Sequence, residues 1–312
     1  MRKTLLVADD DKDFQGIVTR LFEGREWRVE TAGDGISALE RIAARPPDII
    51  LLDLNMPRLG GRELLSKIRK TSSLAMIPVI IISGDSGPQE QACEFWLGAD
   101  DFISKPFNAL ELVSRVEGAA RRARRILAAN PLTRLPGSPA IEEEAARRLA
   151  AGGPMAFFYI DIDNFKAYND RYGYLNGDNV IKRTAEMLSG VQEDFAGEDV
   201  FLGHAGGDDF VLVSAPGKAE EIGGAIAGRF DALVPGFYSA GDAARGAIDS
   251  RDSFGEIREF PLMTLSVAIA TNEKKKFSHY AKIVDTAGEI KKYLKALKGR
   301  PGSVYLKDKR GD

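Results

Sequence analysis

His204-Ala205-Gly206-Gly207-Asp208-Asp209-Phe210 lies between two apolar runs, Asp199-Val200-Phe201-Leu202-Gly203 and Val211-Leu212-Val213. Apolar, β-branched residues on both sides of a glycine pair read as strand, tight turn and strand, so this stretch predicts a hairpin. Glycines at a hairpin tip take positive φ and, lacking a Cβ, let another group come close to the backbone. Two carboxylates follow at the same tip. Adjacent acids repel unless solvent or a cation screens them, and hard divalent cations prefer oxygen ligands. Alone, the segment reads as readily as an ordinary surface turn.

A second acidic stretch shifts that balance. Phe157-Phe158-Tyr159-Ile160-Asp161-Ile162-Asp163-Asn164-Phe165-Lys166 continues through Asn169 to Gly177-Asp178. Its apolar run is too short to span a membrane and ends in Asp161, as a buried strand does when it carries a carboxylate to a sheet edge. A helix is expected next, with Asp163 as its cap, and a periodic run from Val180 to Leu188 predicts another helix after a break at Gly177-Asp178. These residues resemble the GGDEF family of diguanylate cyclases, whose marks are a D-I-D-x-F-K-x-x-N-D-x-x-G-x-x-x-G-D segment and a later G-G-[DE]-[DE]-F turn. Leu132-Thr133-Arg134-Leu135-Pro136 and Leu265-Ser266-Val267-Ala268 are similar to the family's L-T-x-L and L-S-I-G segments, so the resemblance spans nearly the whole second half.

Length and composition bound the rest. A chain of 312 residues with 44% hydrophobic and 29% charged residues is that of a soluble globular protein. Its length suggests about two domains. With 43 basic against 46 acidic residues, the formal net charge of -3 offers no electrostatic argument for bulk nucleic-acid binding. The single cysteine, Cys93, excludes an intrachain disulfide, fits a reducing cytosol and reads as a small core residue. No segment has the ~18 apolar residues of a membrane span. The start, Met1-Arg2-Lys3-Thr4-Leu5-Leu6-Val7-Ala8-Asp9-Asp10, turns acidic too early for a signal peptide, so a cytoplasmic location is expected.

In the first half, apolar runs at Thr4 to Ala8, Trp27 to Glu30, Asp48 to Leu52, Ile77 to Ile82 and Asp101 to Ser104 alternate with helical stretches near 12–23, 35–44, 60–70 and 88–97. Five strands separated by helices imply a doubly wound, five-stranded parallel sheet, because parallel neighbours need crossover connections. Function in such sheets collects at the carboxyl ends of the strands. Those ends carry Asp9-Asp10-Asp11, Asp53, Ser83 and Lys105-Pro106.

This constellation resembles a response-regulator receiver domain, flavodoxin-like in fold, covering residues 1–125. The resemblance implies that Asp53 accepts a phosphoryl group from a cognate histidine kinase. It also implies that Asp9, Asp10, Asp53 and the Asn55 carbonyl hold Mg2+, and that Ser83 and Lys105 bind the phosphoryl oxygens. Phe102 matches the family's switch aromatic, and reads equally as a half-buried sheet residue. A carboxylate among like charges becomes a usable nucleophile once a cation neutralises them, and a lysine compensates the new phosphate.

Residues 108–130 read as one long helix running out of the receiver into a linker, with Asn108 and Glu111 as a capping box and Leu112, Val116, Ala119, Ala123 and Ile126 on one face. The cluster Arg121, Arg122, Arg124 and Arg125 reads as a solvated face of a linker or dimer helix. Pro131 stops the helix and sets the boundary. Residues 131–312 mix strands (156–161, 200–204, 210–213, 262–270 and 303–306) with helices (140–150, 164–171, 178–189, 218–230 and 280–298). The resemblance implies a mainly antiparallel α/β sheet related to nucleotidyl cyclases and the polymerase palm. The glycine-rich, charged segment 231–260 reads as a protruding hairpin or loop.

For chemistry, the resemblance implies condensation of two GTP molecules to cyclic di-GMP with release of pyrophosphate. Asp161, Asp208 and the Ile162 carbonyl are then the metal ligands, for Mg2+ with Mn2+ as an alternative, and Asp208 or Asp209 assists deprotonation. Asn169 and Asp178 would read guanine, since a carboxylate can accept from its N1-H and exocyclic amine. Lys166, Lys295 and Arg300 are candidates for phosphate contacts, with Lys298 a competitor, and each lysine reads equally as part of a solvated helix face. Several positions depart from the family pattern. The second acid of the turn, Asp209, is a methylene shorter than glutamate, His204 replaces an arginine, and Tyr174 stands where histidine is frequent. The A-K-x-x-G-R segment fits only with a one-residue slip. Gly197-Glu198-Asp199-Val200 lacks the arginine of the R-x-x-D product site, so feedback inhibition there is not expected.

The expected protein is a phosphorylation-controlled diguanylate cyclase of a two-component system. It acts as a homodimer because each site holds one of the two reacting nucleotides, and it feeds cyclic di-GMP receptors downstream. The rival reading is a catalytically degenerate module that binds GTP or cyclic di-GMP. A phospho-dependent DNA-binding regulator is disfavoured by the charge and by the absence of a recognition motif.

Overall fold

A computed structural model of the chain describes residues 2–84, 98–251, 255–297 and 299–310. The expected helix at 88–97, with Cys93, and the candidate Lys298 lie outside the described residues. The chain divides into two compact units, Met1–Leu127 and Ala128–Asp312.

In the first unit, β1 (Lys3–Ala8), β2 (Trp27–Ala32), β3 (Ile49–Asp53), β4 (Val79–Ser83) and β5 (Asp101–Ser104) form one sheet in the order β2-β1-β3-β4-β5. All of its pairings are parallel. Side chains alternate across a strand, which divides the apolar runs between two cores. Leu5, Val7, Leu51, Ile80 and Ile82 pack with Phe14, Val18, Val113 and Val116 on one face. Leu6, Leu52, Val79 and Ile81 pack with Ile42, Leu64 and Ile68 on the other. Burial on both faces is why these strands read as continuous apolar runs, and each fully buried Leu or Ile contributes about 1.5–3 kcal/mol. Helices Lys12–Phe22, Gly35–Ala44 and Gly61–Lys70 supply the crossovers. The long helix spans Ala109–Ala128, shorter at both ends than expected. Asn108 caps it, its Oδ1 accepting from Leu110 N at 2.7 Å. Glu111 does not close a capping box; it pairs with Arg115 one turn on.

The second unit is built on the sheet β12-β11-β6-β8-β7. Its strands are β6 (Ala156–Asp163), β7 (Phe201–Gly206), β8 (Asp209–Ser214), β11 (Thr264–Thr271) and β12 (Val304–Lys307). Only β11 and β12 run parallel, so the sheet is mainly antiparallel, as expected. Phe158, Ile160 and Ile162 face a core shared with helices Phe165–Tyr172, Tyr174–Asp194 and Ala219–Leu233. Phe157 faces a second core with Ile283, Ala287 and Ile290 of helix Tyr280–Ala296.

Three local expectations are corrected. β6 runs two residues past Asp161 to Asp163. Asp163 does not cap the following helix: Asn164, in the left-handed region, occupies that position, and the Asp163 carboxylate accepts from Thr264 and Ser266 of β11. The chain breaks at Gly173, with φ 86°, and Gly177-Asp178 lies inside the helix Tyr174–Asp194. Segment 231–260 contains the short helix Ala240–Arg245 and the strand β9 (Ala247–Arg251), which pairs antiparallel with β10 (Ile257–Pro261). That pair is the hairpin of the two expected forms, and Tyr238, ahead of it, joins Tyr168 and Tyr172 in an aromatic cluster that packs this part of the segment against the Phe165–Tyr172 helix.

Candidate functional site

The first unit gathers its polar side chains at the carboxyl edge of the sheet. Asp9 follows β1, Asp53 ends β3, Ser83 ends β4, and Lys105 lies just beyond β5. Lys105 Nζ donates to Asp9 Oδ2 at 2.8 Å and to Asp53 Oδ1 at 3.2 Å. The same ammonium lies 4.6 Å from the centre of the Phe14 ring. Asn55 N–H donates to Asp53 Oδ2 at 2.7 Å. Burial, added to by the Asp9 charge, raises the Asp53 carboxyl above its ordinary range against the pull of the Asn55 N–H and Lys105. Burial opposes the Lys105 charge, but Asp9 and Asp53 more than restore it and hold the ammonium above its ordinary range. Ser83 is buried, Phe102 points into the sheet core, and Asp10 is exposed at the rim.

In the second unit the hairpin forms as expected. Gly206 pairs with Asp209 across a two-residue tip, Gly207-Asp208, and both glycines take positive φ, 133° and 60°. Asp209 is also the register partner of Asp161 in the β6–β8 ladder. The structure therefore sets Asp209 opposite Asp161, while Asp208 occupies the turn. Lys291, from helix Tyr280–Ala296, lies 3.2 Å from Asp161 Oδ2 and 3.3 Å from Asp209 Oδ1, with its ammonium 4.3 Å from the centre of the Tyr159 ring. One turn along, Lys295 contacts the other oxygen of Asp161.

Electrostatics follow from that crowding. Burial opposes ionisation of Asp161, but Lys295 and then Lys291 overcome it and hold the carboxyl below its ordinary range. Asp208 is raised by burial and then by the Asp161 charge. Asp209 is raised by burial and by Asp161, against the pull of Lys291. Burial and the Asp209 charge push the Tyr159 phenol up to about 12, so it stays protonated.

Of the other expected residues, Asn169 sits in the last turn of its helix with Oδ1 buried and without a hydrogen-bond partner, close to Gly177. Asp178 and Lys166 are exposed. Arg300 is engaged elsewhere: its guanidinium donates to Asp163 Oδ2 at 3.0 Å and to Ser266 Oγ at 2.9 Å. His204 is buried and stacks on Phe210, with ring centres 4.4 Å apart. Its Nε2 lies 3.0 Å from the Gly207 carbonyl, which can only accept, so Nε2 carries the proton and Nδ1 accepts from Thr133 Oγ1 at 3.0 Å. That bond ties the Leu132–Pro136 segment to the hairpin. Lys291 is the residue sequence reasoning missed. Its signal was the four-residue spacing from Lys295, which puts both on one helix face.

The donor sets are oxygen-rich and short of positive charge, which suits a hard divalent cation at either edge. Among the described residues no three His, Cys, Asp or Glu side chains gather into one metal-holding group. A cation in the second unit would therefore be held by a carboxylate pair and backbone oxygen, such as the Ile162 carbonyl.

Comparison with known proteins agrees with this division. Residues 5–117 match the response regulator receiver domain, and residues 128–235 match the diguanylate cyclase GGDEF domain. The chain thus carries an N-terminal receiver domain followed by a C-terminal GGDEF domain. It is 38% identical over 123 residues to the response regulator GtcR of Aneurinibacillus migulanus, covering 39% of this chain and 50% of that one. It is 34% identical over 143 residues to the regulatory protein VanRc of Enterococcus gallinarum, covering 46% of this chain and 58% of that one. The chain spans about half the length of these curated relatives. A solved receiver domain, Francisella response regulator 1452, is 35% identical with a TM-score of 0.37, covering 38% of this chain and 98% of that one. Among the described residues no helix is long and apolar enough to cross a membrane.

Proposed function

We propose that the chain is a phosphorylation-controlled diguanylate cyclase, converting two GTP into cyclic di-GMP and two pyrophosphates. The observation that carries this reading is the placing of Asp161 opposite Asp209 beside the Gly207-Asp208 tip, with Lys291 and Lys295 projecting onto the pair. Each of the two steps forms a bond from a ribose 3'-oxygen to an α-phosphorus and breaks the bond to pyrophosphate. Such a step needs positioning and charge compensation above all.

The glycine tip lets the triphosphate approach the backbone. Lys295 and the exposed Lys166 supply positive charge for it, and the Asn169 amide, with Asp178, reads the guanine edge. Asp208 or Asp209, whose carboxyls burial raises above their ordinary range, would take the 3'-hydroxyl proton. Mg2+, or Mn2+, held by Asp161, Asp208 or Asp209 and the Ile162 carbonyl, would supply electrophilic stabilisation of the phosphate oxygens. One site holds one GTP, so two copies of the chain must face each other. Phosphorylation of Asp53 by a histidine kinase would control that pairing, with Asp9, Asp10 and the Asn55 carbonyl holding the receiver's Mg2+.

The test is incubation of the full-length protein with GTP and Mg2+, with and without beryllofluoride, and chromatography of the nucleotides. Cyclic di-GMP that increases with beryllofluoride supports both the chemistry and its control. No product at a concentration where the protein is dimeric moves the reading to a module that binds GTP or cyclic di-GMP without turnover. His204 and Asp209, which depart from the family pattern, are what favour that second reading.

A further inference from the structure

We propose that Lys291 is a tethered competitor of the divalent cation: its ammonium group occupies the position between Asp161 and Asp209, and a cation must displace it to bind. The inference rests on the cyclase reading for the identity of the site. It concerns a residue that neither composition nor motif singled out.

Three features of the geometry lead to it. First, the ammonium is shared between two carboxylates of adjacent strands, at 3.2 and 3.3 Å. Charge-assisted N–H···O bonds are ordinarily about 2.7–2.9 Å, so both arms of this ion-paired bridge are long. Second, both oxygens of Asp161 are engaged by lysines, Oδ2 by Lys291 and Oδ1 by Lys295. A cation bridging Asp161 and Asp209 between Oδ2 of the one and Oδ1 of the other must take the place of the Lys291 ammonium. Third, the two lysines are not equivalent. Lys295 is 42% exposed, whereas Lys291 is 23% exposed and spans the carboxylate pair beside the Tyr159 ring.

The charges decide the direction. Asp161, Asp208 and Asp209 carry three negative charges when ionised, against two from Lys291 and Lys295. A lysine ammonium balances charge, but it cannot polarise a phosphate as a divalent cation does. Its long, flexible stem lets it withdraw, giving up the bridge and the Tyr159 face it now lies over. The bridge therefore holds the strands' carboxylates together at rest, and it weakens cation binding.

The experiment titrates Mn2+ into full-length protein without nucleotide and follows free Mn2+ by electron paramagnetic resonance. Wild type is compared with Lys291→Met and Lys291→Arg, each with and without Asp161→Asn to isolate this site from the receiver's. Methionine keeps the stem packed on Tyr159 and removes only the charge. The Asp161-dependent Mn2+ site should bind about tenfold tighter in Lys291→Met, since a unit charge a few ångströms away has been removed. Lys291→Arg should stay close to wild type. The proposal is overturned if Lys291→Met binds Mn2+ no tighter than wild type, if the tighter binding survives Asp161→Asn, or if Lys291→Arg tightens as much as Lys291→Met. Because Mn2+ affinity is read without GTP, this result is independent of whether wild type makes cyclic di-GMP.

Discussion

Asp161 and Asp209 stand opposite each other in the β6–β8 ladder, with the Lys291 ammonium between their carboxylates. Like charges directly opposite on a sheet are destabilising unless something compensates them. The end of the sheet that carries both, beside a glycine tip bearing Asp208, is therefore a place where charge is gathered although the rest of the sheet is packed on apolar cores.

Asp161→Asn and Asp208→Ala should each lower cyclic di-GMP formation by about a hundredfold or more, the scale on which preorganised electrostatic groups act. The receiver lies in the other compact unit and should still accept phosphate from acetyl phosphate, seen as a mobility shift on a phosphate-affinity gel. Product at the wild-type rate from either variant would remove that residue from the site.

Asp53→Asn should abolish the response to phosphoryl donors. The carboxylate lies where Lys105 and the Asn55 N–H converge, and an amide there cannot take a phosphoryl group. Cyclase rates with and without beryllofluoride are the measurement; stimulation equal to wild type would place the control elsewhere in the chain.

Much of this was legible because local rules and tertiary placement agree. β1, β3 and β4 are runs buried on both faces that end at, or just before, one polar residue, Asp53, Ser83 or Asp9, so strand ends and site coincide, and the glycine pair marks a turn between two apolar strands. What was not legible depended on partners distant in the chain. Asp163 has the right type and position to cap a helix, yet Arg300, 137 residues away, and Ser266 claim its carboxylate. Gly177 has the right type to break a helix, but it is buried within one, against Asn169. Lys291 is one of four lysines on its helix, with Lys282, Lys292 and Lys295. Only the packing of that helix against β6 selects it.

His204 gives the second unit an acid sensitivity. Burial holds its imidazole below the ordinary value of 6.5, so the folded state keeps it neutral where the unfolded chain would take up a proton. The resulting stability is fully present above about pH 6.5 and is lost as pH falls through the folded value, at no more than about 1.4 kcal/mol per pH unit. His204→Gln cannot titrate. It should be less stable at pH 8 by about 1–3 kcal/mol, through the lost stacking on Phe210 and imperfect replacement of the bonds to Thr133 and Gly207. Its stability should also change less between pH 7.5 and 5.5. Calorimetry of the full chain reads both, on whichever transition the substitution shifts; equal pH slopes would mean that His204 is not the titrating group.

Gly177→Ala tests the guanine-reading role of Asn169 without touching it. A Cβ on Gly177 would lie 1.8 Å from Asn169 Oδ1 and 2.9 Å from its Cγ, so the amide must move. The alanine itself suits a helix interior better than glycine by about 1 kcal/mol, which argues against a general loss of folding. If the Asn169 amide bonds the guanine edge, losing that bond is worth about 1–3 kcal/mol, and KM for GTP should rise about tenfold or more. kcat should fall less, and discrimination against ATP should narrow. Asn169→Ala should show the same pattern. A KM for GTP unchanged in Gly177→Ala but raised in Asn169→Ala would mean that the amide relaxes without losing its ligand. Unchanged values in both would remove Asn169 from nucleotide recognition.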